Sequence, residues 1–267
     1  DYTNLFPTFH TSYNLTEALS LQAGYSKRIY RPRLWDLNPF FNIRNNFSVR
    51  AGNPDLLPEF TDSYEVMSIY ILDKVSMNFG LYYRYTTDVI ERVSFFENNV
   101  STTKPVNLGT NGTTGVEFNF KYTPYKWLGI NGDFNYNRFD RRGNLEGVSF
   151  DFNADQWNSR LTAKFKLPAD IDFEVMGNYQ SRVETVQGEQ SGFAFADLGL
   201  RKKMLKGKAV INLSVRDVFA SRIFENFATQ RDFFLSNNSL RGRFVVLGFS
   251  WGFGKGEAME FSGAKRF

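Results

Sequence analysis

The chain has a single histidine, His10, and no cysteine among its 267 residues. Thiolate catalysis, disulfide scaffolds, cysteine-based zinc sites and any site needing two imidazoles are therefore excluded. No acid partner for His10 is identifiable from the sequence, so a nucleophile–base–acid constellation lacks a member. Asp172 and Glu174 are a carboxylate pair two residues apart, but that spacing also puts both on one face of a strand, where a solvated wall accounts for them. The glycine runs at 252–256 and 109–112 lack the strand-to-helix setting that a phosphate loop requires. Arg28, Arg31 and Arg33, beside Tyr30 and Trp35, suit phosphates or another anionic ligand, and equally the solvated base of a loop. Two further stretches mix rings with guanidiniums: Trp35, Phe40, Phe41, Arg44 and Arg50, then Phe224, Phe227, Arg231, Phe233 and Phe234. These residues stack on and hydrogen-bond a ligand; they do not break bonds. No catalytic residue, metal site or cofactor is expected.

The balance of 32 basic and 28 acidic residues is too even to imply nucleic acid. Aromatic residues make up 17% of the chain, 29 of them phenylalanine, which is high for a soluble enzyme domain. No apolar run approaches the ~18 residues of a spanning helix. The opening Asp1-Tyr2-Thr3-Asn4 has neither the basic start nor the apolar stretch of a signal peptide, which suggests a mature chain or a piece of one.

The elements that must position these residues are strands. Apolar residues recur with period two in segment after segment and almost nowhere at helical spacing. Val245, Leu247, Phe249, Trp251 and Phe253 share one face, with Val246, Gly248, Ser250 and Gly252 on the other. Val116, Phe118, Phe120 and Tyr122 alternate with Glu117, Asn119 and Lys121. There are eleven such segments in all, each roughly nine to twelve residues long, the length of tilted strands that cross a bilayer. Only residues 64–71 are apolar on both parities, so pattern alone does not orient them. The polar face carries Glu117, Asp133, Arg160, Lys164, Asp172, Glu174, Asp197 and Arg216 along its length. A soluble sheet with one solvated face is the bland alternative. A barrel wall with lipid outside and water inside requires this arrangement, since lipid-facing backbone must be hydrogen-bonded and free of edges.

Connections alternate between short ones at 16–17, 73–74, 123–126, 168–170 and 205–207 and long ones near 30–60, 92–108, 139–155, 182–192 and 218–240. Short turns belong to the periplasmic side and long loops to the outside. Tyr13, Tyr122, Tyr125, Trp127, Trp251 and Phe253 fall at strand ends, as interfacial girdles do. If the last strand, 243–253, runs down to the periplasm, so does the first, 5–15. Single-chain bacterial barrels have even strand numbers, so this sequence reads as part of a barrel: 1–253 wall, 254–267 a periplasmic tail.

Specific motifs carry a resemblance. Residues 25–40 (YSKRIYRPRLWDLNPF) with 52–59 (GNPDLLPE) and Tyr64-Glu65 resemble TonB-dependent outer-membrane receptors of the Bacteroidetes type. Asn107-Leu108-Gly109 followed by Gly115-Val116-Glu117 resembles a later strand of the same barrels. Residues 213–219 (LSVRDVF) resemble their penultimate strand, which usually has Asn where this chain has Asp217, and 243–253 resembles the closing strand. The resemblance implies a 22-stranded barrel of which this is the C-terminal half, in the bacterial outer membrane. It implies as partners an N-terminal barrel half with its plug, TonB acting through the plug, outer-membrane lipid and lipopolysaccharide, and a surface lipoprotein. The implied function is import of a scarce nutrient (siderophore, glycan or peptide), with the two aromatic–arginine stretches as ligand-facing loops. A passive pore or a structural barrel subunit is the rival.

Overall fold

A computed structural model describes residues 4–45, 47–145, 147–230 and 233–253. In chain order the first elements are β1 (Thr8–Asn14), β2 (Leu19–Tyr30), the one-turn helix α1 (Leu34–Leu37), β3 (Asn42–Asn45), β4 (Ser48–Arg50), β5 (Glu59–Ile71) and β6 (Val75–Thr87). Next come β7 (Ile90–Glu97), β8 (Val100–Asn107), β9 (Thr110–Tyr125), β10 (Leu128–Leu145), β11 (Val148–Leu167) and β12 (Ile171–Gln180). The last are β13 (Val183–Thr185), β14 (Gly188–Gln190), β15 (Phe193–Met204), β16 (Ala209–Arg216), β17 (Ile223–Gln230), β18 (Phe233–Leu240) and β19 (Phe244–Trp251).

Eleven strands form one sheet in the order β1-β2-β5-β6-β9-β10-β11-β12-β15-β16-β19. All pairings between these neighbours are antiparallel, so β1 and β19, its two edges, point the same way. Directly opposed residues in such a ladder share a face, and rows can be read across the sheet. One row runs Tyr13, Leu21, Ser68, Phe79, Phe118, Phe134, Ser159 and Tyr179. The adjacent row on the other face runs Ser12, Gln22, Met67, Gly80, Glu117, Asn135, Asn158 and Gln180. The apolar row faces lipid and the polar row the lumen. Register also orients the ambiguous segment at 64–71: Tyr64 and Val66 lie opposite Tyr83 and Leu81, and all four are exposed on the outer face.

Two pairs of lumenal charges meet laterally between neighbouring strands. Arg216 donates to Asp197 at 2.7 Å, and Arg201 to Asp172 at 3.5 Å. Tyr82 and Asn135 hydrogen-bond across the strand between them. His10 does gain an acid neighbour, contrary to expectation: its Nδ1 lies 3.9 Å from Glu65 Oε1, two strands away along the sheet. Both side chains are about half exposed, which makes the pair part of a wetted wall.

Three expectations are corrected. The first and last wall strands are shorter than 5–15 and 243–253, since β1 has 7 residues and β19 has 8. β9, β10 and β11 are longer, with 16, 18 and 20 residues. The stretch near 139–155 is therefore the end of a protruding ribbon and not a loop, because the β10–β11 ladder continues from Arg138↔Asp155 to Leu145↔Val148, with β9 alongside as far as Thr110↔Arg142. Polar pairs mark where it leaves the bilayer: Tyr136 donates to Asp155 at 2.8 Å and Arg138 to Asn153 at 2.5 Å. The remaining long connections hold strands of their own, which build two small four-stranded sheets, β3-β4-β8-β7 and β13-β14-β17-β18.

Short connections follow turn chemistry. Thr16 Oγ1 accepts the Ala18 and Leu19 N–H groups, closing the first turn. Ala169 and Asp170 both adopt left-handed backbone, φ 63° and 56°, as a tight hairpin turn of primed type demands. Tyr125 and Trp127 stack at 5.4 Å beside one such turn, and Tyr13, Tyr122, Trp251 and Phe253 are exposed near others. A second belt at the opposite end includes Tyr64, Tyr83, Tyr136 and Trp157, all exposed on the outer face. The tail 254–267 lies outside the described residues.

Candidate functional site

The two small sheets stand at the end of the wall away from the short turns, the extracellular end. Each is tied down by residues from the motifs noted above. Gly52 N–H donates to the Asn38 carbonyl at 2.8 Å and Asn53 N–H to that of Asp36 at 2.6 Å. A Cβ on Gly52 would lie 2.4 Å from the Asn38 oxygen, so only glycine permits this approach. Asn107 clamps two segments: its Oδ1 accepts the Leu57 N–H at 2.8 Å, while Nδ2 donates to the Leu57 and Asp88 carbonyls at 3.0 and 2.6 Å. Gly109, at φ 59°, brings its α-carbon so close to the protruding ribbon that a Cβ would meet the Arg142 carbonyl oxygen at 1.9 Å. Glu59 Oε1 accepts the Ile90 N–H, linking the top of β5 to β7. These motif residues build the loop scaffold. Asp217, standing where the resembling barrels usually have Asn, does the same: it is buried at φ 51° and accepts the Ser221 and Arg222 N–H groups at 2.9 and 3.1 Å.

The two sheets touch each other. Gln187, at the β13–β14 turn, pairs its side-chain amide with the backbone of Ser94 in β7, accepting its N–H and donating to its carbonyl, both at 2.8 Å. Phe96 and Phe233 pack beside this bridge at 5.5 Å. Arg92 donates to Asp36 at 2.6 Å, and Arg141 pairs with Glu91, fastening the first sheet to the helix and to the ribbon.

The sequence-based site residues divide between these sheets. Trp35 and Phe40 are each 80% exposed and Phe41 69%, around α1 and the approach to β3. Arg44 has its backbone in β3, and Arg50 ends β4. Phe233 lies against Phe96, and Phe227 stacks on Phe234 at 6.2 Å. Phe224 packs on Phe193 at 6.3 Å. Arg231 lies outside the described residues.

Sequence reasoning missed a cluster on the lumenal face beneath the second sheet. Phe193 and Phe195 pack against each other, tilted, at 6.1 Å and lie opposite Gln180 and Asn178. The Arg222 guanidinium carbon sits 4.7 Å from the Phe195 ring centre and 5.6 Å from that of Phe193. The signal was present: two rings on the polar parity of a wall strand, next to a long connection. Half-buried rings beside a cation, held by a rigid backbone, can stack on a planar, anionic or sugar ligand. Such a surface offers capture and orientation.

With this geometry in view, the chain belongs to the outer membrane protein beta-barrel family, whose model matches residues 1–251. It is an antiparallel wall of a bacterial outer-membrane barrel, and the motif-based likeness to uptake receptors holds for the barrel fold. Among solved structures it is similar to the ferric enterobactin receptor PfeA of Pseudomonas aeruginosa, with 15% identity over 84% of this chain and 35% of that one, TM-score 0.55. It is also similar to the FrpB iron transporter of Neisseria meningitidis, with 18% identity over 92% and 38%, TM-score 0.60. The ferric yersiniabactin uptake receptor FyuA of Yersinia pestis matches at 15% identity over 91% and 36%, TM-score 0.61. The chain thus spans little more than a third of the structures it matches. No curated protein matches it.

Proposed function

We propose that the chain is the C-terminal half of the barrel of a TonB-dependent receptor of the Bacteroidetes type, importing a scarce nutrient across the outer membrane without covalent chemistry. The observation that carries this reading is the open eleven-stranded wall, matched over most of its length to about a third of uptake receptors. Both edges expose unpaired backbone in a bilayer, where each unsatisfied group costs several kcal/mol. Joining them would force a parallel pair into an antiparallel wall. Other polypeptide therefore occupies both edges, and the N-terminal half of the same receptor, carrying the plug, is the simplest source. TonB acts through that plug, and a surface lipoprotein closing over the outer sheets is compatible with their exposed rings. The aromatic–arginine groups at 35–50 and 224–234, with Phe193, Phe195 and Arg222 below, are the ligand-facing surface. Siderophore, glycan fragment and peptide all suit it.

Uptake in cells carrying the whole receptor, with and without a protonophore, tests the reading. Energised import stops when the proton gradient collapses and when TonB is removed. Uptake that continues unchanged would make the barrel a passive pore, and no uptake of any of the three ligand classes would make it a structural subunit.

A further inference from the structure

A groove of about 550 Å³ lies on the outer face of the wall. Two rows across β11, β12 and β15 form its floor: Ser159, Tyr179 and Ala194, then Leu161, Gly177 and Ala196. Both rows have lipid-facing parity, sharing it with Phe134 and Phe118. The groove exists because β16 stops at Arg216, so no wall strand covers the flank of Ala194 and Ala196. Instead the chain turns through Asp217 and Ala220, both left-handed, and raises Phe219, 74% exposed, as the far wall. The turn is pinned to the groove floor: Val218 N–H donates to the Ala196 carbonyl at 2.8 Å and Ser221 Oγ to that of Ala194 at 2.6 Å.

A cation stands at the rim. Arg243 lies two residues before Val245, on the outward parity of β19, and its exposed guanidinium donates through Nη1 to the Val218 carbonyl at 3.2 Å. That bond satisfies one carbonyl of an irregular turn at the bilayer surface and fixes the charge next to Phe219. Gly177 is about six residues above the periplasmic end of β12, roughly 15 Å along the membrane normal, which puts the floor in the outer leaflet.

We propose that this groove is a binding site for a phosphate-bearing glycolipid of the outer leaflet, lipid A. One acyl chain lies along Gly177, Ala194 and Ala196 against Phe219, and a phosphate is held by Arg243. The medium in contact with this face is lipid, so an acyl chain fills the groove. The fixed guanidinium at its mouth then selects an anionic headgroup, for which arginine's planar donors are suited. This rests on the bilayer-facing wall and not on any uptake activity, so failure of transport leaves it standing.

The test uses the receptor extracted from its own outer membranes in a mild non-ionic detergent, with retained lipid identified by mass spectrometry. A Cβ at Gly177 has nothing within 4 Å, so Gly177→Leu fills the groove without a clash; Arg243→Gln removes the charge. Heat-modifiable migration checks folding, and Ala194→Leu replaces Gly177→Leu if that variant does not assemble. The wild type should retain lipid A, and each variant should retain about tenfold less, the ratio set by one charge-assisted hydrogen bond or comparable packing. A matched outward change away from the groove, Leu247→Phe, should retain the wild-type amount. Retention of ordinary phospholipid in place of lipid A, no retained lipid, or equal retention in all variants would overturn the proposal.

Discussion

Replacing Phe79 with arginine should destabilise the barrel by ~2–4 kcal/mol, whereas the same replacement of its neighbour Asn78 should change little. Phe79 is the fifth residue of β6, whose lower end meets a short turn, which puts it roughly 10 Å into a hydrocarbon band about 25 Å tall. It lies between Phe118 and Ser68 on the outer face and is nearly half exposed there, so its ring contacts lipid. Arginine at that depth incurs the mid-membrane cost measured for lipid-facing wall positions. Asn78 lies opposite Asn119 and Ile69 on the lumenal face, where water reaches a guanidinium. The difference corresponds to roughly a 30- to 700-fold change in the folded-to-unfolded ratio. Urea unfolding of the whole receptor in lipid vesicles, followed by tryptophan fluorescence and heat-modifiable migration, measures it. A larger loss from Asn78→Arg than from Phe79→Arg would reverse the assigned faces and refute the barrel argument.

Gly109→Ala should loosen the extracellular scaffold by about 1–3 kcal/mol, because alanine at φ 59° is strained and its Cβ meets the Arg142 carbonyl; limited proteolysis of the β7–β8 hairpin reads it. Asn107→Ala removes three hydrogen bonds holding Leu57 and Asp88, and should raise hydrogen exchange around residues 52–59 and 88–90 while leaving β10 and β11 unchanged. Gln187→Ala should uncouple the two outer sheets, seen as faster exchange at Ser94 with no loss of barrel stability. Exchanging 30–60 and 218–240 between receptors should transfer ligand choice without preventing folding; ligand choice that follows the plug alone would contradict this.

The period-two alternation is local and one-dimensional, so the sequence determined the strands, their two faces, the membrane environment and the family. Residues 243–253 and 115–122 were legible because one side of each strand meets an apolar medium and the other water, which puts Glu117 on the opposite face from Val116 and Phe118. The aromatic rings of the outer loops were also legible as candidates, since nothing in a wall explains Trp35 or Phe40. Only the tertiary structure decided what lies beside what. It oriented 64–71 by register with β6, set Glu65 near His10, and joined Gln187 to Ser94 across 93 residues. It turned four of the long loops into two small sheets and the fifth into a ribbon, and it ended β16 at Arg216, which opened the outer groove. Where a strand stops, and which distant segment covers its flank, depend on hydrogen bonds closed in three dimensions, and such bonds leave no periodic trace in the chain.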